Sequence, residues 1–155
     1  MSQQFVVLNK NNPVAWALMP HALSRIERFA VKYETDTPPE ALSALVEQHF
    51  VSETPLLMAI VAYQSGKGVF AHALACIDDI LGRRFLTIMQ FETDIAFEDR
   101  SELGKMLKQF EVWGQQNGAT EVRLVTMDET HVRLFQRYYG FKKHRISMNK
   151  PLLEG

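Results

Sequence analysis

Three apolar stretches follow one another in the middle of the chain, and each is separated from the next by only a few residues. They cover residues 56–63, 69–77 and 84–93, and the connections at 66–68 and 78–82 contain glycine or aspartate. Connections this short join neighbouring strands only when the strands are antiparallel. The sequence therefore predicts a three-stranded antiparallel meander, and the other elements must pack on the faces of its sheet.

Apolar residues on both sides of this block recur at three- and four-residue spacing, which indicates helices. A first helix is predicted to begin at Pro20. A second is predicted to begin at Pro38, with Thr37 as the N-cap and Glu40 completing a capping box. The apolar stripe over 103–113 predicts a third helix on the C-terminal side of the meander.

Shorter segments complete the order of elements. Residues 5–8, 121–127 and 142–149 are predicted strands, and residues 130–138 are a predicted short helix. The β–α–β connection over 85–127 is expected to be parallel and right-handed. The predicted fold class is α/β (α+β), with a mixed central sheet of about six to seven strands, an antiparallel meander plus a parallel βαβ unit, and helices on both faces.

Composition limits the partners and the location that we expect. The chain has 155 residues, which favours a single domain over 1–155. Its 17 basic and 18 acidic residues give a net charge of −1. That balance gives no electrostatic reason to expect nucleic acid or an anionic membrane as the main partner. No apolar stretch is long enough to span a membrane and the N-terminus lacks the pattern of a signal peptide, so a cytoplasmic location is expected.

The cysteine and the histidines do not form a metal-binding pattern. Cys76 is the only cysteine, so the chain cannot form an internal disulfide. The five histidines are scattered without the spacing of a zinc site, and no metal is predicted. His72 lies in an apolar predicted strand and is interpreted as a hydrogen-bonded core histidine.

The segment 132–141 carries the most specific local pattern of the chain. It is a predicted helix that ends in Tyr138-Tyr139-Gly140-Phe141, with a predicted strand before it and another after it. Together with the order of elements over most of the chain, this segment resembles the late part of the Gcn5-related N-acetyltransferase (GNAT) fold. The resemblance implies an N-acetyltransferase that uses acetyl-CoA as cofactor and a small-molecule or protein amine as acceptor.

The same resemblance implies a coenzyme site just after the predicted strand 84–93. Backbone groups at the strand end would bind the pantetheine arm. Amides of the following loop and helix start would bind the pyrophosphate, because unpaired N–H groups and the helix dipole favour anions. The residues implied to bind the cofactor are Ile95, Ala96, Phe97, Arg100, Gly104 and Lys105.

Five acidic residues fall in or beside this segment: Glu92, Asp94, Glu98, Asp99 and Glu102. Glu102 lies in the implied phosphate-binding loop. A carboxylate about 5 Å from a phosphate charge would cost roughly 3 kcal/mol at an effective dielectric constant of ~20. An acidic first turn is also favourable at an ordinary helix start. A coenzyme-binding loop and a self-capped helix start therefore both stay open.

Two carboxylates and one tyrosine are candidates for proton transfer. Glu92 and Asp94 end the predicted strand, and they share one face with Gln90 because strand side chains alternate. Either carboxylate could act as general base or bind the amine, and both also fit a solvated strand end. The resemblance implies a tyrosine acid at the position of Gln136. Tyr138 is the nearby candidate, and it equally fits a packed helix end.

Two functions remain open at this point. The first is an acetyl-CoA-dependent N-acetyltransferase acting on an unidentified amine. The second is a catalytically inactive protein of the same fold that binds a partner, as a homo-oligomer or as an assembly component of the kind encoded by phages and mobile elements. The missing tyrosine and the acidic loop favour the second function, and the order of elements favours the first.

Overall fold

The structure is a computed structural model that describes residues 3–33, 35–95, 100–126, 129–143, 150 and 152, without the side chains of 100–102. Among the described residues there are five strands and four helices. In chain order they are β1 (Gln3–Val7), α1 (Pro13–Lys32), α2 (Pro39–Phe50), β2 (Leu57–Gln64), β3 (Gly68–Ile80), β4 (Arg83–Thr93), α3 (Arg100–Gln116), β5 (Glu121–Leu124) and α4 (Glu129–Tyr138).

The five strands form one sheet in the order β1-β2-β3-β4-β5. Strands β1 to β4 pair antiparallel, and β5 pairs parallel to β4. The predicted meander and the parallel β–α–β connection are therefore confirmed, whereas the described residues form five strands and not the predicted six to seven. Of the predicted strand 142–149, Lys142 and Lys143 lie outside any strand, and 144–149 lie outside the described residues.

Helix α1 begins at Pro13, so the predicted start at Pro20 is wrong. The side chain of Asn12 caps the helix by accepting a hydrogen bond from the Val14 N–H at 3.0 Å. Pro13 occupies the first turn, where its missing N–H has no cost. Pro20 lies inside the helix, where a proline removes one backbone hydrogen bond. Although α1 has 20 residues, no helix in the described ranges is long and apolar enough to cross a membrane.

Helix α2 begins one residue later than predicted, and the capping box is wrong. Pro38 occupies the N-cap position and makes no side-chain hydrogen bond, and Pro39 is the first helical residue. The reason is that a residue before proline is held in an extended conformation. Pro38 accordingly has φ −57° and ψ 147°. Thr37 therefore lies too far from the first turn to cap it.

Helices cover both faces of the sheet, as predicted. On one face α1 and α2 enclose a core with inward residues of β2 and β3, and on the other α3 and α4 enclose a second core with β4. The first core includes Ala22, Ile26, Leu42, Val46, Val61 and Leu74. The second core includes Ile88, Phe91, Met106, Leu107, Phe110 and Phe135.

Candidate active site at the end of β4

The parallel strands β4 and β5 part before β4 ends. Their pairing runs from Phe85 opposite Glu121 to Ile88 opposite Leu124, and the N–H of Val125 then donates to the Ile88 carbonyl at 3.0 Å. Strand β4 continues to residue 93. In the described part of the chain, residues 89–93 therefore have no partner strand on the β5 side. This edge of β4 offers backbone donors and acceptors to an extended ligand.

A bulge lies at the point where the two strands part. Leu74 of β3 is opposite Gln90, but the next residue, Ala75, is opposite Ile88, so Met89 is an extra residue on β4. A bulge bends its strand and increases the local twist. The bulge at Met89 thus accounts for the divergence of β4 from β5 just beyond it.

The residues after the bulge alternate between the two faces of the sheet, as predicted. Gln90, Glu92 and Asp94 all contact residues of α1. Phe91 faces the other way, with its ring 5.6 Å from that of Phe135 and 5.0 Å from that of His131. One face of the strand end is therefore polar and the other is aromatic.

Arg25 of α1 holds the polar face together. Its side chain is only 3% exposed. Nη1 donates to Asp94 Oδ2 at 2.7 Å, and Nη2 donates to the backbone carbonyl of Glu92 at 3.4 Å. The sequence analysis missed this residue. A signal was available, because Arg25 lies on the apolar stripe of α1, three residues after Ala22 and four before Phe29, where a charge requires a buried partner.

His72 of β3 continues this network into the core. Arg25 Nε donates to His72 Nδ1 at 3.2 Å, and His72 Nε2 lies 2.8 Å from Gln90 Oε1. Gln90 in turn donates to the Ile26 carbonyl at 3.3 Å. Burial lowers the pKa of His72 to about 4, and the nearby Arg25 charge adds to this. The prediction of a hydrogen-bonded core histidine is confirmed.

The two candidate carboxylates differ in how strongly they are held. The hydrogen bond from Arg25 lowers the pKa of Asp94, which makes this carboxylate a weaker base. Glu92 lies 3.8 Å from Arg25 Nη2 and 3.5 Å from Nζ of the exposed Lys32, and it makes no closer ion pair in the described chain. Its side chain is 21% exposed, against 55% for Asp94. Glu92 is therefore the less tightly bound of the two carboxylates.

Helix α3 is the next element of the chain after β4, and the connection 94–99 joins them. Arg100, Gly104 and Lys105, predicted to bind the coenzyme, all lie in the first turns of this helix. A Cβ at Gly104 would lie 3.7 Å from Tyr139 Cε1. The start of α3 and the end of α4 are therefore neighbours.

Part of the predicted coenzyme site lies outside the described residues. Repulsion between its acidic side chains and the coenzyme phosphates therefore stays a prediction. Ile95 is described, and it is half-buried beside Phe70. The predicted or acidic residues not described are Ala96, Phe97, Glu98 and Asp99, together with the side chains of Arg100 and Glu102.

Tyr138 and Tyr139 lie differently at the end of α4. Tyr138, the predicted acid, is 40% exposed, and Arg137 Cζ lies 5.2 Å from its ring centroid. Tyr139 is partly buried in the second core, with its ring 5.6 Å from that of Phe135. Tyr139 is thus the tyrosine that points toward the start of α3, by its contact with Gly104.

Neither a metal centre nor a reactive thiol belongs to the site as far as the chain is described. No group of three or more His, Cys, Asp and Glu side chains within the described ranges could hold a metal ion. Burial raises the pKa of Cys76 to about 11, so its thiol stays protonated.

Solved structures with the same fold are acetyltransferases. A predicted acetyltransferase from Clostridium acetobutylicum, solved with acetyl-CoA, has a TM-score of 0.70 and 13% identity over 97% of each chain. The aminoglycoside N-acetyltransferase AAC(6')-Iy, solved with a CoA-containing bisubstrate analogue, has a TM-score of 0.69 and 14% identity over 99% of this chain and 100% of that one. An aminoglycoside acetyltransferase from an uncultured soil metagenomic sample has a TM-score of 0.65 and 18% identity over 99% and 100%.

These structural matches confirm the resemblance on which the sequence analysis relied. The chain has the fold of the Gcn5-related N-acetyltransferases, and it has diverged widely from the solved structures in sequence. No protein-family model and no curated protein matches it.

Proposed function

We propose that the protein is an acetyl-CoA-dependent N-acetyltransferase that transfers an acyl group to an amine. The observation that carries the proposal is the free edge of β4 after the bulge at Met89, in a fold shared with acetyltransferases solved with CoA or acetyl-CoA. A second function, a catalytically inactive binding or assembly component, has no support from these comparisons.

The residues around this edge fit the coenzyme. The backbone of 89–93 and of Ile95, Ala96 and Phe97 would pair with the amides of the pantetheine arm. The N-terminal turns of α3, with Arg100, Gly104 and Lys105, would bind the pyrophosphate through backbone N–H groups and positive charge. Gly104 has no side chain on this turn, and a Cβ there would be in van der Waals contact with Tyr139 Cε1 at 3.7 Å.

Acetyl-CoA supplies a thioester whose acyl carbon bonds to the amine nitrogen as the C–S bond breaks, and overall one proton passes from the amine to the departing thiolate. Glu92 would take that proton from the amine. Asp94 is less suited to this role because Arg25 lowers its pKa, and it would instead orient the amine. Tyr138 is the candidate for donating its own proton to the departing thiolate, with Tyr139 as the alternative nearer to α3. The proton that Glu92 has taken from the amine would then restore the tyrosine hydroxyl through solvent.

Coenzyme binding is the first test. Acetyl-CoA at a hundred times its Kd should stabilise the protein by roughly 2.7 kcal/mol, measured as a rise in the unfolding midpoint. Release of the CoA thiol in the presence of a panel of amines then tests the transfer. No stabilisation at millimolar acetyl-CoA would contradict the proposal.

A matched pair of lysine variants on α3 tests where the coenzyme binds. Lys105→Ala should raise the Kd for acetyl-CoA, whereas Lys108→Ala should leave it unchanged because Lys108 lies further along the helix and pairs with Glu111 at 3.6 Å. Equal effects of the two substitutions would remove the start of α3 from the site.

Single substitutions separate the proposed proton-transfer roles. Glu92→Gln should lower kcat with little change in the KM for acetyl-CoA, and Asp94→Asn should act mainly on the KM for the amine. The effects of Tyr138→Phe and Tyr139→Phe on kcat identify which tyrosine hydroxyl, if either, takes part in proton transfer. A kcat unchanged in both tyrosine variants would exclude a tyrosine acid.

A further inference from the structure

A cleft of about 400 Å³ lies on the polar side of the β4 end. One wall is α1, the other is the β2–β3 turn, and Asp94 closes one side. Asp94 lines this cleft and Glu92 does not, so an acceptor bound here would lie against Asp94. Its lining therefore bears on which amine the protein accepts.

The floor of the cleft carries a fixed positive charge. Arg25 is buried, and it is held by His72 Nδ1 at 3.2 Å and by Asp94 Oδ2 at 2.7 Å. His72 is itself fixed by Gln90 at 2.8 Å. Because each of these groups is engaged, the guanidinium cannot turn away from the cleft.

The remaining charges of the lining leave a positive surplus. Arg25, Arg28 and Lys67 are cationic, whereas Asp94 is the only acidic residue among the described residues that line the cleft. Asp94 is already paired with Arg25, so Arg28 and Lys67 have no acidic partner within the described lining.

Nearby acidic residues outside the lining do not reverse this balance. Glu92 is shared between Arg25 and Lys32, and Glu27 of α1 accepts a hydrogen bond from Ser43 at 2.7 Å. Arg28 lies close enough to contribute, after Arg25, to the lowered pKa of Asp94. A cleft whose lining carries a surplus of one sign of charge attracts ligands of the opposite sign.

We propose that the acceptor is a small amine that also carries a carboxylate or phosphate group, and that Arg28 and Lys67 bind this anionic group while the amine lies at Asp94. This inference rests on the proposed function and adds the substrate class. It separates the protein from the aminoglycoside acetyltransferases of the same fold, because aminoglycosides carry several amino groups and are polycationic.

Anion binding is measured first, on the full chain without coenzyme. Glutarate and inorganic phosphate at millimolar concentration should raise the unfolding midpoint, whereas 1,5-diaminopentane should not. The rise should be reduced in Arg28→Ala and Lys67→Ala and retained in the control Lys108→Ala. A response to glutarate alone or to phosphate alone supports the inference and identifies the group. A response to the diamine, or equal losses in all three variants, overturns it.

Turnover of matched amines is measured second. The probes are β-alanine against propylamine, phosphoethanolamine against ethanolamine, and neamine as the polycation. In at least one pair, the amine that carries the carboxylate or phosphate should have a kcat/KM about tenfold higher than the amine that lacks it. Arg28→Ala and Lys67→Ala should each reduce that ratio about threefold to fivefold, and added salt should reduce it further.

The two measurements distinguish the inference from the proposed function. Absence of acetyl-CoA binding refutes the proposed function and with it the assignment of an acceptor. Binding and turnover of acetyl-CoA with a preference for neamine or propylamine leaves the proposed function standing and refutes only the anionic acceptor.

Discussion

The two faces of β4 meet very different surroundings at the end of the strand. On the α3 and α4 side, Phe91 packs edge-on against Phe135 in a core of apolar side chains. On the α1 side, Glu92 and Asp94 meet a buried arginine. The same short segment therefore depends on close packing on one face and on paired charges on the other.

The difference indicates a division of roles between the faces. The aromatic face fixes the position of β4 relative to α3 and α4, because packing is sensitive to shape. The polar face holds charges at the strand end, where they can contact a ligand. Substitutions on the two faces should accordingly differ in size, in pH dependence and in their effect on ligand binding.

The largest loss of stability is expected on the aromatic face. Phe135→Ala removes a ring that is 1% exposed and contacts three other aromatic side chains. It should lower the free energy of unfolding by about 3–5 kcal/mol, measured by urea denaturation. Tyr138→Ala on the exposed side of the same helix should cost less than about 1 kcal/mol. Similar losses for the two variants would contradict the packing described for α4.

Titrating groups on the polar face should make the free energy of unfolding depend on pH, whereas the packing of Phe91 and Phe135 on the aromatic face should not. Burial lowers the pKa of His72 to about 4 in the folded protein, from its ordinary value of 6.5. Between these values the unfolded chain binds one proton more, so the free energy of unfolding decreases as pH falls from 6.5 to 4. The expected loss is about 3 kcal/mol, from 1.36 kcal/mol per pKa unit.

A glutamine at position 72 tests the source of this pH dependence. His72→Gln keeps polar atoms beside Arg25 and Gln90 but does not titrate, so the loss between pH 6.5 and 4 should be smaller than in the wild type. Parallel pH profiles of the two proteins would exclude His72 as the source. Asp94 acts in a separate window: its lowered pKa contributes stability above about pH 3.8 that is lost as pH falls through the folded value.

Removal of the central cation should have an effect somewhat smaller than that of Phe135→Ala. Arg25→Ala leaves His72 Nδ1 and the Glu92 carbonyl without their donor, at a cost of about 2–3 kcal/mol in the free energy of unfolding. Asp94 is half-exposed, so water can replace its partner at little cost. Arg28→Ala, one turn along the same helix and exposed, is the control and should change stability by no more than about 0.5 kcal/mol.

The smallest effect concerns the glycine at the start of α3. Gly104→Ala places a methyl group in ordinary contact with Tyr139 and should stabilise the helix by about 0.5–1 kcal/mol. Gly114→Ala on the same helix should not, because its Cβ would lie 3.2 Å from Leu86 Cβ. If Gly104 also admits the coenzyme, the alanine variant should be more stable and yet bind acetyl-CoA more weakly.

Much of the fold was predictable because hydrophobic period reports secondary structure directly. The alternation of Gln90, Phe91 and Glu92 follows from it. The meander and the parallel pairing of β4 with β5 follow from the lengths and types of the connections between the elements. The predicted start of α1 was wrong because proline is frequent at helix starts, whereas Pro20 lies inside the helix.

The centre of the candidate site was only partly predictable. Glu92 and Asp94 stand out because they end an apolar strand, but their partner Arg25 is 67 residues away from Glu92 in the chain. Pairing at that separation depends on how α1 crosses the sheet, which local periodicity does not specify. The bulge at Met89 depends in the same way on the register between β3 and β4.

The extra residue at Met89 has a genetic consequence. Before it, Leu86 and Ile88 face the core formed with α3 and α4, and after it Phe91 does. The bulge therefore shifts the inward positions of β4 from even-numbered to odd-numbered residues. A deletion of this one codon would restore strict alternation with Phe91 still toward α3 and α4 and Glu92 still toward α1, so only the bulge itself would be lost. The deletion should therefore leave the two cores of the sheet intact and remove the divergence of β4 from β5.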